Sequence, residues 1–281
     1  MAADIPTTPL PSGEQVPVLG QGTWFMGEDR RRRDQEADAL RLGIDLGMTL
    51  IDTAEMYADG GAEAVVGDAI NGRRDKIFLV SKVLPSNASR QGTIRACDNS
   101  LKRLKCETID LYLLHWRGGY PLEETIAGFE DLRQAGKIRH WGVSNFDTDD
   151  MEELVLAPGG HHVATNQILY NLTRRRPEFD LMPWCRERKI PLMAYSPIEQ
   201  GRLLGNKVLG NIAKECDTTP AAVALAWVLS REGIIAIPKS SNPVHLRENR
   251  KAVDLKLSAE QIATLDHAFA APTRKVQLEM L

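Results

Sequence analysis

Eight times along this chain a short apolar run gives way to a stretch of helical period, and few architectures accommodate that rhythm. The first run spans 15–20 and leads into Gly22-Thr23-Trp24. The others lie at 50–53, 77–82, 109–115, 140–145, 163–167, 191–197 and 233–238. Each is too short and too uniformly apolar to be a surface helix. Between the first two, Ala37, Leu40, Ile44 and Met48 recur at helical spacing. Further helices are expected over 62–71, 93–104, 122–134, 148–156, 176–189, 219–230 and 243–251. Gly72 and Gly136 stand just past two of these, where a left-handed residue ends a helix, and Pro220 stands at the first turn of another. A last helix follows Ser258, which forms a capping box with Gln261. Strict alternation of strands and helices implies a parallel sheet. Eight such units in 281 residues fit an α/β fold of the closed (β/α)8 TIM-barrel type, in one domain. An open doubly wound sheet is the competing arrangement, disfavoured because no G-x-G-x-x-G turn opens a helix near the N-terminus. Residues 1–14 read as a loose lead-in and 270–281 as a peripheral tail.

Charge narrows the function. A formal net charge of −3 leaves no electrostatic footprint for nucleic acid. The one basic cluster, Arg30-Arg31-Arg32-Arg33, is flanked by Glu28, Asp29 and Asp34 and reads as a solvated helix start. No stretch approaches the length of a membrane span or a secretory core, so a cytoplasmic protein without a membrane partner is expected. Cys97, Cys106, Cys185 and Cys216 lack the close pairing of a zinc or redox motif and are expected to be reduced, structural thiols.

In a barrel of this kind chemistry gathers where the strands end. The polar residues at those ends are Asp52, Lys82, His115, Ser144 with Asn145, Gln167, Ser196 and Lys239, each closing an apolar run. Singly they have ordinary readings: a turn aspartate, a lysine reaching for the rim, a buried histidine. Tyr57, five residues beyond Asp52, has one too, a packed ring with its hydroxyl in water. Jointly they place an acid, a cation, an imidazole and a phenol at one mouth. A metal site is rejected, because a second histidine or carboxylate at a strand end is missing and Lys82 would repel a cation.

Asp52-Thr53-Ala54-Glu55-Met56-Tyr57 with Gly60, Glu63 and Gly67 resembles the signature of the aldo-keto reductase family. So do Lys82 closing Phe78-Leu79-Val80-Ser81, His115-Trp116, Gly142-Val143-Ser144-Asn145, Asn166-Gln167, Ala194-Tyr195-Ser196-Pro197 and Ile237-Pro238-Lys239-Ser240. The match runs in order from Gly20 to about Asn249, nearest to bacterial members that reduce methylglyoxal and similar small aldehydes. The resemblance implies hydride transfer from NADPH to a carbonyl. Tyr57 would be the proton donor, with its pKa lowered by Lys82; Asp52 would hold Lys82, and His115 would orient the carbonyl. It implies that Ser144, Asn145 and Gln167 hold the carboxamide and that Tyr195 stacks on the nicotinamide. Gly22 and Thr23 would give close backbone approach, and Ser196, Pro197 and Ile198 would line the pyrophosphate. Lys239, Ser240, Ser241 and Asn242 would meet the adenosine phosphate, with Glu248 and Asn249 near the adenine. Where many members carry an arginine for the 2′-phosphate this chain has His245, with Arg247 two residues on. NADPH is therefore expected, with NADH less excluded than usual. Trp24, Met56 and Trp116 are expected to wall a pocket for small aldehydes and dicarbonyls. A sugar-acid ketone reductase of the diketogluconate type, or a cofactor-binding sensor or channel-associated subunit without fast turnover, are the alternatives. A monomer is expected.

Overall fold

The computed structural model describes residues 4–281; of the lead-in expected over 1–14, residues 1–3 lie outside it. Strands β1 (Thr7–Pro9) and β2 (Gln15–Pro17) pair antiparallel as a small hairpin. Eight parallel strands follow: β3 (Gly20–Gly22), β4 (Leu50–Asp52), β5 (Phe78–Val83), β6 (Ile109–Leu114), β7 (Ile138–Ser144), β8 (Asn166–Leu169), β9 (Leu192–Tyr195) and β10 (Ile234–Ala236). Each pairs with its neighbour in sequence. The ends of the sheet then meet. Ala236 donates its N–H to Val18 O at 2.8 Å, Gly22 donates to Pro238 O at 3.1 Å, and Gly22 bridges Lys239. At this seam a side chain on Gly22 would lie 2.9 Å from the Ile237 carbonyl oxygen, so glycine is needed there to close the ring. The expected (β/α)8 barrel is the fold.

The helices are α1 (Arg33–Asp45), α2 (Gly61–Ala69), α3 (Arg90–Leu104), α4 (Leu122–Gln134), α5 (Thr148–Leu156), α6 (Leu181–Glu187), α7 (Lys207–Glu215), α8 (Pro220–Leu229), α9 (Pro243–Lys251) and α10 (Ala259–Ala268). Successive side chains along a strand point to opposite faces, and that alternation divides the core in two. Leu50, Phe78, Val80, Leu111, Leu113, Met193, Ile235 and Ile237 fill the barrel. Ile51, Leu79 and Tyr112, at the intervening positions, face the helices. Truncating an interior residue such as Leu111 to alanine costs about 2–5 kcal/mol on this account.

Four local readings change. Thr7–Pro9 is a strand, and residues 15–17 belong to the hairpin rather than to the barrel. Leu10 and Val16 join the interior cluster, so the lead-in plugs one end of the barrel. The helix expected over 176–189 splits into a 3-10 turn at Arg176–Glu178 and α6. Helix α7 was not foreseen; Asn206 caps it, its side chain accepting from Val208 N and Leu209 N. The segment 270–281 is not peripheral. Leu278 is buried, Val276 O accepts from Arg176, and Arg174 pairs with Glu279, which lays the tail across the mouth.

Candidate active site

The same alternation delivers the polar strand ends. Leu50 and Asp52 share the inward face of β4. Phe78, Val80 and Lys82 share that of β5, and Leu111, Leu113 and His115 continue that of β6. Each inward stripe therefore ends in a polar group at one mouth. Tyr57 arrives differently. After it the chain passes through left-handed backbone at Ala58, Asp59 and Gly60 before α2 begins, a sharp reversal that leaves the phenol over the mouth.

Lys82 is fully buried and its ammonium has three acceptors: Asp52 Oδ2 at 2.8 Å, Thr53 O at 2.8 Å and Tyr57 OH at 3.3 Å. The other oxygen of Asp52 accepts from Gln167 Nε2 at 2.7 Å. Thr23 Oγ1 donates to Asp52 O at 3.0 Å and steadies that strand end. The His115 ring meets the Tyr57 ring edge-on, with centroids 5.7 Å apart.

Electrostatics correct one expectation. Burial lowers the Lys82 pKa despite Asp52. Burial, with the Asp52 carboxylate, pushes the Tyr57 phenol well above its ordinary value rather than below it. The reason is that Asp52 cancels Lys82, so the phenol faces a pair of no net charge and the cost of a buried phenolate dominates. Burial and Lys82 push the His115 pKa down to about 2, so its imidazole is neutral. Its Nδ1 is buried without a protein partner.

Three cavities meet around these groups. The largest, about 460 Å3, is lined by Gly22, Thr23, Trp24, Asp52, Tyr57, Tyr195, Ser196, Pro197, Ile198, Lys239 and His245 among others. A second, about 220 Å3, is lined by Trp24, Met56, Tyr57, His115, Trp116, Ser144, Asn145, Gln167 and Tyr195, with Met280 and Leu281. A third, about 140 Å3, shares Ile198, Lys239 and His245 with the first and adds Ser240, Glu248 and Asn249. Nearly all the expected residues thus fall on one connected surface. Lys82, fully buried beneath Tyr57, lines none of the three, nor do Ser241, Asn242 and Arg247. Asn242 caps α9, its side chain accepting from Val244 N, and Ser241 accepts from Arg32. Arg247 is exposed.

Asn145 ties the second cavity together: it donates to His115 O and Ser144 Oγ at 3.1 Å and accepts from Tyr195 OH at 2.8 Å. Sequence reasoning missed Phe25, Gln200, Gly201 and Leu204 on the first cavity and Met280 and Leu281 on the second. Phe25 carried a signal, an aromatic beside Trp24, on which it stacks with centroids 4.4 Å apart. The tail residues carried none. Among the described residues no group of three or more His, Cys, Asp or Glu side chains could hold a metal, and no helix is long and apolar enough to cross a membrane.

The donor set fits a dinucleotide. The first and third cavities form one continuous trough with an aromatic ring, Tyr195, at the inner end. A half-buried lysine that has no ion pair among the described residues, Lys239, stands toward the outer end. Comparison with known proteins agrees. Residues 18–270 match the model of the aldo/keto reductase family. The chain is 53% identical to methylglyoxal reductase YeaE of Escherichia coli K12 over 95% of both chains. It is 32% identical to the glyoxal reductase of Bacillus subtilis over 92% of this chain and 91% of that one. A crystal structure of an aldo-keto reductase from Klebsiella pneumoniae in complex with NADPH superposes with a TM-score of 0.97 at 48% identity, covering 99% of this chain and 100% of that one. The chain belongs to the aldo/keto reductase family.

Proposed function

We propose that this reductase converts small aldehydes and dicarbonyls of the methylglyoxal type to alcohols with NADPH. The observation that carries the reading is the bond from Lys82 Nζ to Tyr57 OH, at a phenol that borders both the trough and the adjoining 220 Å3 cavity. Bound NADPH supplies the hydride. The protein supplies the rest. Tyr57 stays protonated at neutral pH and is a donor held ready for a carbonyl oxygen that is gaining charge. When that proton leaves, the Lys82 ammonium already bonded to the phenol oxygen meets the new negative charge. A cation that helps little in the resting state then helps in the transition state. Neutral His115 lines the same cavity and contributes a hydrogen bond rather than a charge. Gln167 commits its amide nitrogen to Asp52, which leaves its carbonyl oxygen as the acceptor for a carboxamide. Tyr195 presents a ring at the junction of the two cavities, and Lys239 meets phosphate at the far end of the trough.

The size and chemistry of the substrate cavity favour small neutral carbonyls. Its walls are Trp24, Met56, Trp116, Met280 and Leu281, and no arginine or lysine lines it. A sugar-acid carboxylate would enter without a cationic partner, which speaks against the diketogluconate reading. The complete set of Asp52, Tyr57, Lys82 and His115 speaks against a cofactor-binding sensor, which has no use for a proton donor.

The test follows NADPH absorbance with methylglyoxal, a sugar-acid ketone and a bulky ketosteroid, for wild type and Tyr57→Phe. Methylglyoxal should give the highest kcat/KM, and Tyr57→Phe should lose about 10²- to 10⁴-fold in kcat while still binding NADPH. Wild-type turnover in the variant would refute the assignment of the donor. A preference for the ketosteroid would refute the substrate class.

A further inference from the structure

The run Arg30-Arg31-Arg32-Arg33 precedes or opens α1, and the structure divides it by partner. Arg31 forms a two-point ion pair with Asp29, at 3.0 Å from Nε and 2.9 Å from Nη2. Arg33 binds Asp68 at 2.6 Å. Arg30 lines a separate cavity beside Gly60 and Arg103. Among the described residues Arg32 has no ion-pair partner; its guanidinium reaches across the fold to Ser241 Oγ at 3.4 Å, in the loop that follows Lys239. A bond of that length is at the weak end for nitrogen and oxygen and ties up one of five N–H groups.

Lys239, two residues before Ser241, likewise has no ion-pair partner among the described residues. Its ammonium is pushed down by burial and by Arg32, and Glu36 and Glu28 only partly offset this. Glu36 is buried and accepts the Gly27 N–H at 2.8 Å. His245 lies on the wall shared by the trough and its outer cavity. Two like charges therefore stand close together at this end, Lys239 on the wall of the trough and Arg32 beside it against the Ser241 loop, with the His245 imidazole on the same wall as Lys239. A phosphate monoester would relieve that repulsion and would take up the free N–H groups of a guanidinium in a planar, two-point geometry.

We propose that Arg32, from the loop before α1, is the guanidinium that recognises the 2′-phosphate of NADPH and so sets the preference over NADH. The inference rests on the cofactor reading above. It also gives the arginine run a use: three members have partners or positions elsewhere, and the fourth reaches the loop that follows Lys239.

Direct titration of NADPH and NADH into wild type, Arg32→Gln, Arg32→Lys and Arg31→Gln tests it, with thermal melting as the check on folding. Arg32→Gln should weaken NADPH about tenfold and leave NADH within about twofold, as removal of one charge-assisted contact to a group that NADH lacks requires. Arg32→Lys should recover part of the loss, because it restores the charge without the fork. Arg31→Gln should leave NADPH within about twofold, since the Asp29 pair is exposed and separate. Equal loss for both cofactors in Arg32→Gln, or no loss for NADPH, overturns the proposal. A wild-type protein that binds NADPH no more tightly than NADH overturns the cofactor reading itself, a result visible before any variant is made.

Discussion

Gln167 donates its amide nitrogen to Asp52 Oδ1 at 2.7 Å, across the full width of the barrel mouth. Asp52 is buried, and its second oxygen holds Lys82. The carboxylate thus keeps both oxygens occupied, one by the group it positions and one by a residue on the cofactor side. Gln167→Leu removes that donor and leaves a buried anion short of one hydrogen bond, at a cost of about 1–3 kcal/mol. Urea unfolding should show this as a lower midpoint with an unchanged slope, and turnover should fall with it. An unchanged midpoint would mean that the Asp52–Lys82 pair does not rely on Gln167.

The His115 pKa carries a pH prediction with a definite sign. Folding depresses it from 6.5 to about 2, so between those values the unfolded chain binds the extra proton and the folded one does not. The neutral imidazole's contribution is fully present above pH 6.5 and is lost as pH falls toward 2. The loss is about 1.4 kcal/mol per pH unit, or about 2 kcal/mol by pH 5. Chemical denaturation of wild type and His115→Gln at pH 7.5 and pH 5.0 checks this. The wild type should lose more stability between the two than the variant, by about that amount; parallel losses would place the acid sensitivity elsewhere.

Arg174 links two walls that sequence places far apart. It binds Glu199, in the segment that follows Ser196-Pro197-Ile198, at 2.9 Å, and it also pairs with Glu279, next to the Met280 and Leu281 of the substrate cavity. Glu199 keeps Asn171 and Arg202 if Arg174 is lost, so the tail is the side that should loosen. Arg174→Ala and Glu279→Gln should each raise KM for a small aldehyde, by up to about fivefold, since a half-exposed pair contributes no more than about 1 kcal/mol. The double variant should add little. Additive effects of the two would show that they act separately.

How much of this was legible beforehand follows from the range of the interactions. The strands and their polar ends could be read because alternation along a strand is local: Phe78, Val80 and Lys82 declare one face within five residues. Asp52, Lys82 and His115 then meet for the same reason that Leu50, Val80 and Leu113 do. Helix α7 escaped notice because Gly205 and Gly210 break the pattern near its start, and its cap, Asn206, has no acidic residue three positions on. The tail was unreadable: nothing near Met280 and Leu281 in sequence indicates the mouth of the barrel, and what holds them is Arg174 and Arg176, a hundred residues earlier. The net shift at Tyr57 runs opposite to the expectation, because burial and Asp52 outweigh Lys82. Residue types supply a cation, but the direction of the shift depends on burial and on how completely Asp52 cancels the charge.

The joint between the first and last staves of the barrel has a thermodynamic consequence. Gly22, Ile237, Pro238 and Lys239 stand on either side of it and also form one wall of the trough. A dinucleotide lying there spans the join and touches chain from both ends of the ring. Occupancy and closure are then one equilibrium viewed from two sides: whatever holds the cofactor also discourages the barrel from opening, and the empty protein is the one that should breathe at that edge.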